Sequence, residues 1–407
     1  MFIFIFFFLL LPHFNNPMAN SFSLPTFIEK ISFLTTPYLT HIELHGSHGF
    51  ANRSYNKDSK LVPLLAFNGP ENLLNKFIDP SLPYNDTSRA GKAFFSGTYI
   101  IDSIIARFFQ TFEHGIFFAS RLGVSNTILK SIKAHPISSS GHSLDQNDLD
   151  NNQELKAYLE ILDDTILHAR PRIQDTVINV STFTIGWAKN FQSFNHADFI
   201  NIAIQTGIRI PGFLLDNPSH CNKNISSFDP LYSNQTNLGL PIQFDAEFGL
   251  LNWLNIGLQT GTVIFIPNDR IVKLNSAPSH NIILSNDYTL STVKEYPMIF
   301  NHFYLEAEEL LPLFSCLIGL SYVQKFKTIY ESCDHQKYLY DLINKYSTQP
   351  SWSRTNIHFQ AQLDCSKFDN KYNIILAFLY TKPVTGTSVF QLSRTGGSLA
   401  LSVKGHF

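Results

Sequence analysis

Segment after segment of this chain alternates apolar with polar residues at period two, the period of a β-strand whose two faces meet different surroundings. Between Phe199 and Ile210, the residues Ile200, Ile202, Ile204, Ile208 and Ile210 share one face, and Asn201, Ala203, Gln205, Gly207 and Arg209 share the other. Ile242, Phe244, Ala246, Phe248 and Leu250 oppose Gln243, Asp245, Glu247 and Gly249; Leu254, Ile256, Leu258, Ile264 and Ile266 then oppose Asn255, Gly257, Gln259 and Gly261. The link Leu251-Asn252-Trp253 makes this pair a hairpin. A second hairpin of the same build sets Ile357, Phe359, Ala361, Leu363 and Cys365 against His358, Gln360, Gln362 and Asp364, with Tyr372, Ile374, Leu376, Phe378 and Tyr380 following. Strands so patterned do not bury both faces in one core.

The whole chain reads as about twelve strands: 38–47, 99–110, 115–124, 177–189, 198–210, 241–250, 254–266, 298–308, 313–327, 354–365, 371–381 and 397–407. Every odd connection between them is long and every even one short. In an antiparallel barrel successive connections leave on opposite rims, so this asymmetry predicts an all-β, up-and-down barrel with both termini on the tight-turn side. A soluble sandwich has short turns at both ends and no reason for the asymmetry. Segment 99–110 is ambiguous: Asp102 and Arg107 fall on opposite faces, and helix stays open beside strand. Residues 63–78 and 152–168 have apolar spacing nearer three or four and read as loop structure, with short helices over the barrel mouth as the alternative.

The 407 residues include 30 Lys+Arg against 32 Asp+Glu and are only 15% charged, which excludes a nucleic-acid binder held by basic charge and a disordered charged tail. Residues 1–11 read MFIFIFFFLLL, and Met18-Ala19-Asn20 offers a small residue at a cleavage point. Residues 1–19 therefore read as an export signal peptide and 20–407 as the barrel domain, although no basic residue precedes Lys30. No later run is apolar for long enough to cross a bilayer as a helix.

The polar faces, turned inward, predict a lumen lined by His41, Glu43, His45, Arg121, Asn201, Gln205, Arg209, Gln243, Asp245, Glu247, Gln259, His302, Glu306, Lys325, His358, Gln360, Gln362, Asp364, Lys404 and His406. Both signs and many amides occur among them, so the lining suits water or a polar solute, or pairs across the lumen and closes it. His41-x-Glu43-x-His45 puts three ligand-type side chains on one face, but a lumen-facing row has the same spacing, and no metal is inferred. No phosphate loop, paired-cysteine motif or dinucleotide fingerprint implies a cofactor. His142-Ser143 and Ser279-His280 fall in long loops outside any nucleophile motif, and the chain reads as a non-enzyme. Cys316 and Cys365 sit on apolar faces, whereas Cys221 and Cys333 fall in long loops where a disulfide stays open.

The last segment, GGSLALSVKGHF, places Leu399, Leu401, Val403 and Phe407 on one face and Ser398, Ala400, Ser402, Lys404 and His406 on the other, and ends on an aromatic residue. It resembles the terminal strand of bacterial outer-membrane β-barrel proteins, porins among them, in which such a strand is the signal read by the barrel-assembly machinery. Gly405 departs from the bulky residue usual there. The resemblance implies a place in the bacterial outer membrane, the bilayer and the assembly machinery as partners, and a porin-like channel passively transporting small polar solutes. Tyr322, Tyr372, Tyr380, Trp187 and Trp253 lie near strand ends, where interface girdles are expected. Two other readings stand beside it: a closed structural or adhesive barrel acting through its extracellular loops, and a secreted soluble all-β binding protein.

Overall fold

A computed structural model describes residues 34–66, 71–74, 89–137, 172–194, 197–214, 237–273, 288–311, 313–333, 340–345, 351–365 and 372–404. Twelve antiparallel strands close into a barrel. They are β1 Leu39–Ala51, β2 Arg89–Thr111, β3 Ile116–Ile137, β4 Ser181–Phe194, β5 Ala197–Ile210, β6 Gly239–Leu251, β7 Leu254–Phe265, β8 Met298–Leu311, β9 Phe314–Lys325, β10 Trp352–Asp364, β11 Tyr372–Thr387 and β12 Ser393–Lys404. Each pairs with the next, and β12 returns to β1 in a register running from Leu39 opposite Lys404 to Phe50 opposite Ser393. Closure leaves the wall without an edge, which is the condition for crossing hydrocarbon with strands.

Tight links join Thr111 to Ile116, Phe194 to Ala197, Leu251 to Leu254 and Leu311 to Phe314 on one rim, where β1 also begins and β12 ends. On this rim Tyr38, at φ 54°, donates its hydroxyl to Glu113 in the β2–β3 turn, and the Leu39 amide donates to Thr111 Oγ1 at 2.7 Å. These two contacts fix where the chain enters β1. On the opposite rim the wall continues as a three-stranded sheet of Asn268–Lys273, Tyr288–Glu295 and Thr328–Ser332. The short helix Tyr340–Lys345 packs there through Val293, Tyr330 and Ile343, and Asn344 bonds both the backbone N–H and the C=O of Tyr330.

Each of the twelve segments read from the sequence corresponds to one strand, with corrections on the long-loop side. Segment 99–110 is strand, and it begins ten residues earlier, at Arg89. Segments 115–124 and 371–381 run on to Ile137 and Thr387, because pairing continues above the level at which one face must be apolar. Segment 177–189 breaks in two: Arg172–Ile178 is a separate strand, and Asn179 turns the chain, its amide donating to Gly123 O at 2.7 Å. Within 63–78, expected as loop, Glu71–Leu74 pairs with the extended part of β2. Residues 152–168, residues 1–19 expected as a signal peptide, His142-Ser143, Ser279-His280, Cys221, Gly405, His406 and Phe407 lie outside the described residues.

The outer surface carries Leu44, Ile204, Leu258, Phe303, Leu376 and Leu399, and reaches 61% exposure at Ile104 and 56% at Ile318. Water does not tolerate so continuous an apolar belt on a monomer, which removes the secreted soluble reading. Trp187, Trp253 and Tyr380 are exposed on the same surface. The fold is a transmembrane β-barrel of the outer-membrane type.

The interior is filled from both ends. Leu34, just before β1, packs with Phe109, Phe117, Ala119, Ala188 and Ala203. Val263, Phe265, Met298 and Val323 form a second apolar cluster, flanked by Phe300 and Trp352, near the long-loop rim.

Candidate functional site: the barrel lumen

The alternation that makes the exterior apolar turns the intervening residues inward. On β1 the row His41, Glu43 and His45 is buried, and each member takes a different partner. Arg107 Nη1 on β2 donates to Glu43 Oε2 at 3.1 Å, His41 Nδ1 meets Ser402 Oγ at 2.7 Å, and His45 Nδ1 meets the Gly397 carbonyl at 3.2 Å. The three ligand-type side chains thus do not converge, and among the described residues no group of three His, Cys, Asp or Glu is placed to hold a metal ion.

Carboxylates gather on the other side of the lumen. Asp245 and Glu247 of β6 and Glu306 of β8 are all buried. Gln243 Nε2 donates to Asp245 Oδ1 at 2.7 Å and Gln205 Nε2 to Asp245 Oδ2 at 3.4 Å. Asn201 Nδ2 donates to Glu247 Oε2 at 3.1 Å. Arg107 and the half-buried Arg121 lie on β2 and β3, and β8 stands six places from β2 in the ring of twelve. Arg107 and Arg121 therefore stand across the ring from the Glu306 carboxylate.

Midway along, the His302 and His358 rings stand 4.8 Å apart. His358 is held on both sides, by Ser321 Oγ at 2.7 Å and Thr381 Oγ1 at 3.0 Å, and Asn356 Nδ2 donates to the same Ser321 at 3.1 Å. Neither ring nitrogen of His302 has a partner among the described residues. At the long-loop mouth Lys325 pairs with Glu295 at 2.5 Å, and Glu295 also accepts the Asn237 amide at 2.7 Å. Arg209 and Lys325 both lie over the Phe265 ring, at 5.6 and 5.5 Å. Arg354 and Arg394 complete this layer, buried on the inner faces of β10 and β12.

The residues singled out in the sequence are placed as follows. Gln259 and Gln360 are buried on the inner face with those above, and Gln362 and Asp364 are half-buried toward the turn side. Lys404 ends β12 opposite Leu39, its side chain outside the described residues. Leu399 and Leu401 point outward and Val403 is half-buried. Cys333 is an exposed free thiol, and Cys316 and Cys365 are half-buried. The sequence reading missed several inward residues, among them Arg107, Tyr304, Arg354, Asn356 and Arg394. Arg354 and Asn356 share the parity of His358, and Arg394 that of Ser398, so extending the alternation by a few residues finds them.

Outside the wall, the Glu331 carboxylate bonded to Lys294 at 2.6 Å holds that ammonium above the usual lysine range. Glu113, which accepts the Tyr38 hydroxyl, likewise raises that phenol.

No family model and no curated protein matches the sequence. Among solved structures, an outer membrane channel from Pseudomonas putida F1 matches at TM-score 0.49 and 9% identity, over 92% of this chain and 99% of that one. A Pseudomonas aeruginosa FadL homologue matches at TM-score 0.32 and 10% identity, over 97% and 100%. The translocator domain of the autotransporter NalP from Neisseria meningitidis matches at 0.37 and 8%, over 91% and 90%. At such identities and TM-scores, function has to be read from this chain's own residues.

Proposed function

We propose that this barrel works in the bacterial outer membrane as a porin-like channel, passing small polar solutes through a lumen that its own side chains hold nearly closed. The observation that carries this reading is the inner face. Strands β1, β5 to β10 and β12 turn imidazoles, carboxylates, amides and hydroxyls inward while their other faces are mostly Ile, Leu, Val and Phe. A barrel serving only as an anchor gains nothing from burying Asp245, Glu247 and Glu306, since replacing buried ionic groups by packed apolar ones is often neutral or stabilising. A polar solute replaces the internal hydrogen bonds one by one as it passes. Transport is passive, with the long-rim loops narrowing the outer mouth and no bond made or broken. Leu399, Leu401, Val403 and Phe407 serve insertion, as the face offered to the assembly machinery.

One observation favours the closed, adhesive reading. Tyr304 and Glu306 are 0% exposed, and Leu34 joins Phe109 and Phe117 at the turn-side end. Swelling of liposomes carrying the refolded chain, in sugars and amino acids of graded size, separates the two readings. A channel gives swelling rates that fall with solute size; a closed barrel gives the rate of protein-free liposomes for every solute.

A further inference from the structure

The layer at the long-loop mouth is unbalanced in charge. Among the described residues it holds Arg209, Lys325, Arg354 and Arg394 against the single carboxylate of Glu295, which is already taken by Lys325 and the Asn237 amide. Arg354 and Arg394 are only 8% and 6% exposed, and neither makes an ion pair or a hydrogen bond among the described residues. Arg354 Nε is fully enclosed and has no acceptor. One strand, β11, separates the two, with Gly386 opposite Arg354 and Thr381 opposite Arg394, and both side chains enter the lumen on the same long-loop side.

Two buried guanidiniums without a counter-charge among the described residues carry a heavy desolvation cost, and are tolerated when something negative joins them. The fold makes room for them deliberately. Gly49 lies opposite Arg394, and a Cβ there would stand 3.1 Å from Arg394 Cγ and 2.7 Å from Ile101 Cγ2, so the arginine stem runs through the place of a missing side chain. On β10, Arg354 shares its inner face with Asn356 and His358. Beside them stands His302, its ring nitrogens also without partners among the described residues. Enclosed donors on alternate strands of one mouth, with positive charge and no acceptor among the described residues, are the inverse image of an oxyanion.

We infer that Arg354 and Arg394, with the unpartnered His302 deeper in the lumen, form a binding subsite for an oxyanion, a phosphate or carboxylate group carried by the solute, just inside the long-loop mouth. Passage of that solute rests on the channel reading; its binding does not. Guanidinium forks hold two oxygens of the anion, and the carboxylates deeper in the lumen keep the anion from sliding further until it is displaced.

The test uses the full chain refolded in a zwitterionic detergent, with inorganic phosphate as the probe and sodium chloride added to constant ionic strength. The thermal midpoint is read from loss of the compact gel band. The inference expects the wild-type midpoint to rise saturably with phosphate and not with chloride. Arg354→Gln and Arg394→Gln start at or above the wild-type midpoint without phosphate and lose affinity by about tenfold or more, while Lys382→Gln, on the outer face of β11, behaves as wild type. Where a glutamine variant gives no compact band, Arg354→Lys, which keeps the charge and loses the fork, takes its place and shows weaker binding. A wild-type midpoint indifferent to phosphate, or arginine variants that keep its effect, overturns the inference. Bilayer conductance of the same sample reports on the channel separately: an insulating bilayer with intact phosphate saturation removes the channel and leaves the subsite.

Discussion

Tyr304 on β8 lies where Gly257 on β7 has no side chain, and its hydroxyl donates across β7 to Glu247 Oε1 on β6 at 3.3 Å. A Cβ on Gly257 would stand 1.9 Å from Tyr304 Cζ, so glycine is required by close approach. One ring thus spans three strands and fills the lumen beside the carboxylates. Gly257→Val is expected to push the ring out and to destabilise by about 1–3 kcal/mol, the range for overpacking. Tyr304→Phe loses only the hydrogen bond, about 1 kcal/mol, because Asn201 still bonds Glu247. Urea unfolding of the two variants in lipid vesicles orders them; equal losses would contradict the packing account.

The Arg107–Glu43 pair is buried on both sides. Glu43→Gln leaves the guanidinium without that charge partner and is expected to cost about 3 kcal/mol, the lower end for breaking a buried pair. The double change Glu43→Leu with Arg107→Met should recover most of the loss. Unfolding midpoints for the single and double variants check it, and a double variant weaker than the single would rule out the desolvation argument.

Ile204 lies mid-strand on the outer face, and Gln205 beside it points inward. Ile204→Arg is expected to cost about 2–4 kcal/mol in bilayers, the range for a charge at the hydrocarbon midplane. In a water-facing barrel the same change would be almost neutral, so folding free energies in vesicles decide what the outer face touches.

Tyr38 supplies the pH dependence outside the wall. Its phenol is raised by Glu113, so the contact favours the folded state fully below the ordinary tyrosine range near 10 and is lost as pH climbs through the raised value. Comparing wild type with Tyr38→Phe should show a constant stability difference from about pH 7 to 9 that vanishes above it. A difference that grows with alkalinity has the wrong sign for this contact.

How much was legible depends on the contrast between the two media. β5, β6, β7 and β10 separate Ile, Leu and Phe from Asn, Gln, Asp and His at most steps, and both the strands and their faces followed from that. β2 hid because its inner face carries Ile101, Ile105 and Phe109 while its outer face carries Ile100, Ile104 and Phe108: its inside packs against the apolar Leu34–Phe117 cluster, and period two has nothing to show. Asp102 confused the pattern further, since it points outward and is satisfied by His48 at 2.7 Å. Tyr304 over Gly257, Arg107 on Glu43 and Arg394 over Gly49 depend on register between strands, which a single sequence does not carry.

A polar path through the lumen is tested most directly by planar-bilayer recording of the full chain. His302 projects into the lumen with its ring tilted 49° to that of His358 at 4.8 Å, and it is free of hydrogen bonds among the described residues. The account predicts small discrete conductance steps for the wild type, and larger ones when His302→Ala removes the ring. Bilayers that stay insulating with both proteins, each giving a compact heat-modifiable band, would contradict it and make the barrel a closed one.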